Sequence, residues 1–156
     1  MQIVFMVYCL AVLCISAYTD IKMSKVYNQV FYPGLALALA VPFVYGVWEF
    51  LLRLALVILL FFVYKGFIGG GDAKLIMMLI LLSGILKAAT AVVVGNLGML
   101  AYSYIANPQE TKLGIMNGLT ALRSFNPELV KGKGSTIVLA PFLAAGFIAA
   151  TLIYGI

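Results

Sequence analysis

Between residues 73 and 106 the only charges are Lys74, at the very start, and Lys87, near the middle. As one helix this stretch would be about 51 Å long at 1.5 Å per residue. The hydrocarbon core of a bilayer is only ~30 Å thick. The pattern therefore predicts two helices in apolar surroundings, divided at Lys87: a short span at 73–86 and a full span ending before Asn107-Pro108. Other apolar runs cover 3–19, 30–47, a third stretch reaching about 68 after a short turn at 48–53, and 136–154. The chain is 65% hydrophobic and 10% charged, against roughly 25% charged in soluble domains. So few charges are insufficient for a water-facing surface. The expected fold is all-α: a polytopic membrane protein of about six transmembrane helices, with 1–156 forming a single membrane-embedded domain.

The polar stretches set the topology. A ten-residue loop, DIKMSKVYNQ, follows the first run, and GGGDAK precedes the fourth. Pro42 is an expected kink in the second run. Ile115, Leu119, Leu122 and Phe125 recur at helical spacing between Asn107-Pro108 and Asn126-Pro127, with Lys112 and Arg123 assigned to other faces. This segment is expected to be an amphipathic helix on the membrane surface. With six spans, Lys22, Lys25, Lys65, Lys74, Lys112, Arg123, Lys131 and Lys133 share one side, and only Arg53 and Lys87 lie on the other. The positive-inside rule then puts Asp20, Asp72 and the amphipathic segment in the cytoplasm and both termini outside. The start of the chain lacks a basic n-region and an A-x-A-like site, so it reads as a retained first span.

Composition also excludes chemistry. Net charge is +5, but the cations are scattered singly between apolar runs, which fits membrane topology and not a nucleic-acid-binding face. There is no histidine, which removes the commonest metal ligand and general base. Cys9 and Cys14 match neither CxxC nor zinc-ligand spacing. No metal and no cofactor are expected.

Five carboxylates remain: Asp20, Glu49, Asp72, Glu110 and Glu128. Only Asp20 and Asp72 stand at the cytoplasmic ends of predicted spans, and a carboxylate at a membrane boundary is costly enough to be a functional candidate. Helix capping is the competing explanation, since Asp72 opens a helix. Capping alone does not call for the preceding Gly69, Gly70 and Gly71, which permit positive φ and close backbone approach. The triplet lacks the GK[ST] ending of a phosphate loop. It is expected to form a loop that positions Asp72. Two carboxylates a few ångströms apart do not both ionise easily, so one pKa rises and the other falls. The ionised member can deprotonate water while the protonated member donates to a peptide carbonyl, as in aspartic proteases. Asn96, beside Gly95 and Gly98, is expected to hydrogen-bond between helices at a close-packed seam.

At these residues the chain resembles the type IV prepilin and preflagellin peptidases, membrane aspartyl proteases bearing a GxGD motif. The motif here is Gly69-Gly70-Gly71-Asp72, continued by AKL. The partner motif resembles Asp20-Ile21-Lys22 through Val26-Tyr27-Asn28, with Tyr27 where the family usually has proline. Ala140-Pro141-Phe142-Leu143 is similar to the family's final span. The resemblance implies a leader peptidase with Asp20 and Asp72 as its catalytic pair. Larger members carry a cytoplasmic domain with paired CxxC motifs and also N-methylate the processed pilin. This chain looks like the small, peptidase-only subgroup associated with tight-adherence (Tad/Cpa-type) pilus systems. The implied substrates are prepilins or pseudopilins, cut at the cytoplasmic face of the plasma (inner) membrane. The alternative from another class is a small ion-coupled transporter component using the same carboxylates. Transporters place such groups near the bilayer midplane, whereas these lie near one face.

Overall fold

The computed structural model describes residues 2–23, 28–64, 70–124 and 139–155. Their regular structure is entirely helical: α1 (Gln2–Met23), α2 (Asn28–Ala38), α3 (Val41–Tyr45), α4 (Val47–Tyr64), α5 (Gly70–Ser83), α6 (Ile85–Ala106), α7 (Pro108–Ser124) and α8 (Ala140–Tyr154). α1, over Gln2–Lys22, and α6 are each long and apolar enough to cross a membrane, and α8 is a shorter apolar helix. The buried face of α1 is Phe5, Cys9, Val12, Leu13 and Ser16, and its exposed face carries Ile3, Val4, Val7 and Ile15. A helix apolar on its exposed face as well as its buried one is suited to lipid rather than water.

α5 is the hub, packing against α1, α2, α4 and α6. Leu75, Ile76 and every residue from Met78 to Ser83 are buried. α6 and α8 form the second layer and pack antiparallel. Lys87 Nζ donates to the Gly155 carbonyl at 2.7 Å near one end, and the rings of Tyr102 and Phe142 lie 5.8 Å apart near the other. Small residues set how close they come: a Cβ on Gly146 would lie 2.2 Å from the Ala91 carbonyl oxygen. The expected seam is therefore present around Gly95, but Asn96 does not bridge it. Its amide donates instead to the Val92 carbonyl of its own helix, at 2.8 Å.

Three helix boundaries depart from the sequence expectation. The fourth and fifth segments divide at Gly84 rather than Lys87: Gly84 adopts φ +95°, where an L side chain is strained, and Lys87 lies in the first turn of α6. The expected turn at 48–53 is helical, because Gly46, also at φ +95°, ends α3 and α4 begins at once. The second run breaks at Leu39–Ala40, just ahead of Pro42, which sits in the first turn of α3.

Arg53, expected in an exposed turn, is instead 1% exposed. It closes the open end of α5. Nη1 donates to the Leu81 carbonyl at 2.9 Å and Nη2 to Glu49 Oε1 at 2.7 Å, while the guanidinium lies 4.3 Å from the centroid of the Tyr45 ring. Gly84 leaves room for it, since a Cβ there would lie 3.3 Å from Nη2. A buried charge costs several kcal/mol in desolvation, which these three contacts offset. Nε is buried with no partner among the described residues.

Removing the guanidinium leaves the α5 carbonyl end unsatisfied and opens a cavity. Arg53→Ala should lower unfolding stability in detergent by about 2–4 kcal/mol. Glu49 is half exposed, so Glu49→Gln should cost less than about 1 kcal/mol. Equal losses for the two substitutions would show that the Leu81 contact contributes nothing.

Candidate active site

Asp20 does not lie in a loop. α1 continues to Met23, which puts Asp20 in its last turn, half-buried. Lys22 leans away from it: Nζ donates to the Tyr18 hydroxyl at 3.3 Å and lies 5.6 Å from the centroid of that ring. Tyr18 and Lys22 are two residues either side of Asp20, about 200° around the helix, so this cation is turned from the carboxylate. One turn before Asp20, on the same face, Ser16 is buried and its Oγ has no hydrogen-bond partner among the described residues.

Asp72 lies in the first turn of α5, half-buried, with Gly70 and Gly71 in the same turn. Those two glycines are therefore helical, where a loop was expected; Gly69 lies outside the described residues. Asp72 stands one residue ahead of the apolar run. Its carboxyl is pushed from the ordinary 3.8 up to about 6, first by burial and second by the negative charge of Asp20. α1 and α5 pack against one another, and an antiparallel pairing sets the last turn of α1 toward the first turn of α5. The opposite ends agree, since Lys87, just past the end of α5, reaches Met6 Sδ near the start of α1 at 3.9 Å.

A carboxyl raised by burial and by a neighbouring carboxylate holds its proton to higher pH than a free one, and here that group is Asp72. Next to Asp72, Ala73 joins Leu60, Ile76 and Met77 along the apolar seam between α4 and α5. The other carboxylates lie elsewhere: Glu49 pairs with Arg53 on α4, Glu110 is exposed in the first turn of α7, and Glu128 is outside the described residues. Among the described residues no three potential metal-ligating side chains gather.

Two polar residues near the helix ends were not singled out from sequence. Glu49 four residues before Arg53 is a helical ion-pair spacing and could have flagged that pair. Ser16 carries no such signal, because one hydroxyl in an apolar run is unremarkable.

The model of the type IV leader peptidase family matches residues 7–107, a region that contains both aspartates. No curated protein and no solved structure matches the chain.

The raised pKa has a consequence for stability. Because the folded value lies above the ordinary one, the fold penalises the ionised carboxyl. The penalty is absent below about pH 4, grows as pH rises, and is complete above about pH 6. Asp72→Asn should therefore raise the thermal midpoint at pH 7.5, with the gain shrinking to nothing near pH 4. A gain that grew toward acid pH would reverse the assignment.

Proposed function

The chain belongs to the type IV leader peptidase family, and on that premise we propose that it is a membrane aspartyl endopeptidase. It removes the leader of prepilins or pseudopilins at the cytoplasmic face of the membrane. Asp20 and Asp72 are its catalytic pair. What supports this reading is that the chain's only two aspartates stand in the last turn of α1 and the first turn of α5, helices that pack against one another.

The chemistry follows from one shared proton. The ionised carboxylate takes a proton from water as its oxygen attacks the scissile carbonyl carbon, and the protonated carboxyl hydrogen-bonds to the carbonyl oxygen. The C–N bond then breaks, and a proton from the pair passes to the leaving amine. Asp72 takes the donor role in this reading, which its raised pKa of about 6, from burial first, supports. A carboxyl held in that range donates more readily near neutral pH than an ordinary aspartic acid.

Six spans complete the proposed topology: α1, the broken pair α2–α3, α4, α5, α6 and α8. Eight of the ten lysines and arginines then fall on the aspartate side, which supports a cytoplasmic site. The segment between α1 and α2 is short and contains no cysteine. A peptidase without methyl-transfer activity is the reading that fits this.

In a prepilin cleavage assay read by mass, Asp20→Asn and Asp72→Asn should each abolish processing, and the double variant should be no worse than either single one. Groups that act as one unit are non-additive in this way. Glu49→Gln, Glu110→Gln and Glu128→Gln should still process. Activity should decline as pH rises through about 6, where the donor loses its proton. A folded Asp72→Asn protein that cleaves at the normal rate would end the aspartyl-peptidase reading.

A further inference from the structure

α7 takes no part in the proposed chemistry and lies beyond the residues covered by the family match. It is held to the bundle at its first turn. The Thr111 hydroxyl donates to the Asn107 carbonyl at 2.8 Å, which leaves it to accept from Ser103 Oγ at 2.7 Å. Thr111 is buried, and the other described side chains of α7 are exposed.

Lys112, Met116, Leu119 and Arg123 are spaced i, i+4, i+7 and i+11, which at 100° per residue places them in one narrow stripe. This corrects the sequence expectation, which assigned the two cations to faces away from Leu119. Met116 and Leu119 are 65% and 63% exposed. The stripe is about 16 Å long at 1.5 Å per residue, with a cation at each end and two large apolar side chains between. Glu110, two residues from Lys112, projects from the far side of the helix. Beside the Arg123 end the surface hollows over about 290 Å³, lined by Leu119, Thr120, Arg123 and Ser124. The Thr120 and Ser124 hydroxyls donate to main-chain carbonyls, so Arg123 is the cationic donor left to face an anion there.

The structure assigns this stripe as a docking surface for anionic phospholipid. Two arguments select a lipid surface over a protein partner. α7 begins one residue after α6, a helix long enough to cross the membrane, and the Ser103–Thr111 bond keeps its first turn at the end of that helix. The stripe also has the form an anionic leaflet accepts: apolar side chains enter the headgroup boundary while the flanking cations, with no acid among them, meet phosphates. The assignment is independent of the peptidase reading.

The test uses the full chain with Cys9→Ala and Cys14→Ser, carrying a nitroxide at Leu119→Cys or, on the opposite face, at Asn117→Cys. Each is placed in nanodiscs of phosphatidylcholine alone or of a mixture with phosphatidylglycerol. In the anionic discs the label at position 119 should collide severalfold less with a water-soluble nickel chelate and more with oxygen than in the zwitterionic discs. The label at 117 should stay in water in both. Lys112→Glu with Arg123→Glu should return position 119 to water. Equal accessibility of position 119 in the two lipids overturns the proposal, whether it is wet in both or dry in both. So does protection that appears only when a prepilin is added, which would make the stripe a protein-binding face. The lipid comparison needs no charge substitution, so it stands even if the double reversal misfolds.

Discussion

α5 is too short to cross a bilayer unaided and is buried along most of its length. Its fourteen residues rise about 21 Å at 1.5 Å per residue, well under the ~30 Å hydrocarbon core. Its C-terminal end is enclosed by protein, where water does not freely satisfy it. The N-terminal end carries Asp72, and the C-terminal end is met by the guanidinium of Arg53. In lipid no hydrophobic force drives helices together, because the tails are as apolar as leucine. The position of α5 thus depends on close contact with four neighbours and on Arg53. The two ends are not equivalent: the C-terminal carbonyls gain a charged donor, whereas the N-terminal carboxyl is left partly desolvated.

That asymmetry links the fold to the chemistry. A carboxylate in the first turn of a helix is ordinarily favoured by the free N–H groups and the macrodipole. Here the pKa of Asp72 is raised nonetheless, so burial and the Asp20 charge outweigh the dipole. A plain cap residue would be depressed, not raised, and capping alone therefore does not account for Asp72. The opposing carboxylate comes from α1, whose buried stripe from Phe5 to Ser16 fixes how it meets α5. The Gly146 and Gly95 contacts bring α6 and α8 to close backbone approach, and the pair packs onto α5 through α6 and onto α1 through α8.

The all-helical class and the helix at 108–124 were legible in the sequence because they depend on apolar run length and helical spacing. The errors share a cause. Lys87 and Arg53 read as boundary markers in the sequence, yet both lie inside helices: Lys87 reaches the Gly155 carbonyl just past α8, and Arg53 is enclosed by Tyr45, Glu49 and Leu81. One charge in an apolar run looks the same whether it is paired inside or exposed outside. The real breaks fall at Gly46 and Gly84, whose positive φ leaves no mark in composition. Asp20 was placed in a loop because polar residues follow it, while the helix in fact runs one more turn.

Whether the Asp20 charge acts on the Asp72 carboxyl can be tested without a substrate. The chain contains no other aspartate, so labelling aspartate side-chain carboxyls with carbon-13 gives two resonances to follow against pH in detergent or nanodiscs. The account predicts one carboxyl titrating near 6, and a lower value for Asp72 once Asp20→Asn removes the neighbouring charge. Burial should still keep that value above the ordinary 3.8. An Asp72 carboxyl that titrates near 3.8 and is indifferent to Asp20→Asn would overturn this.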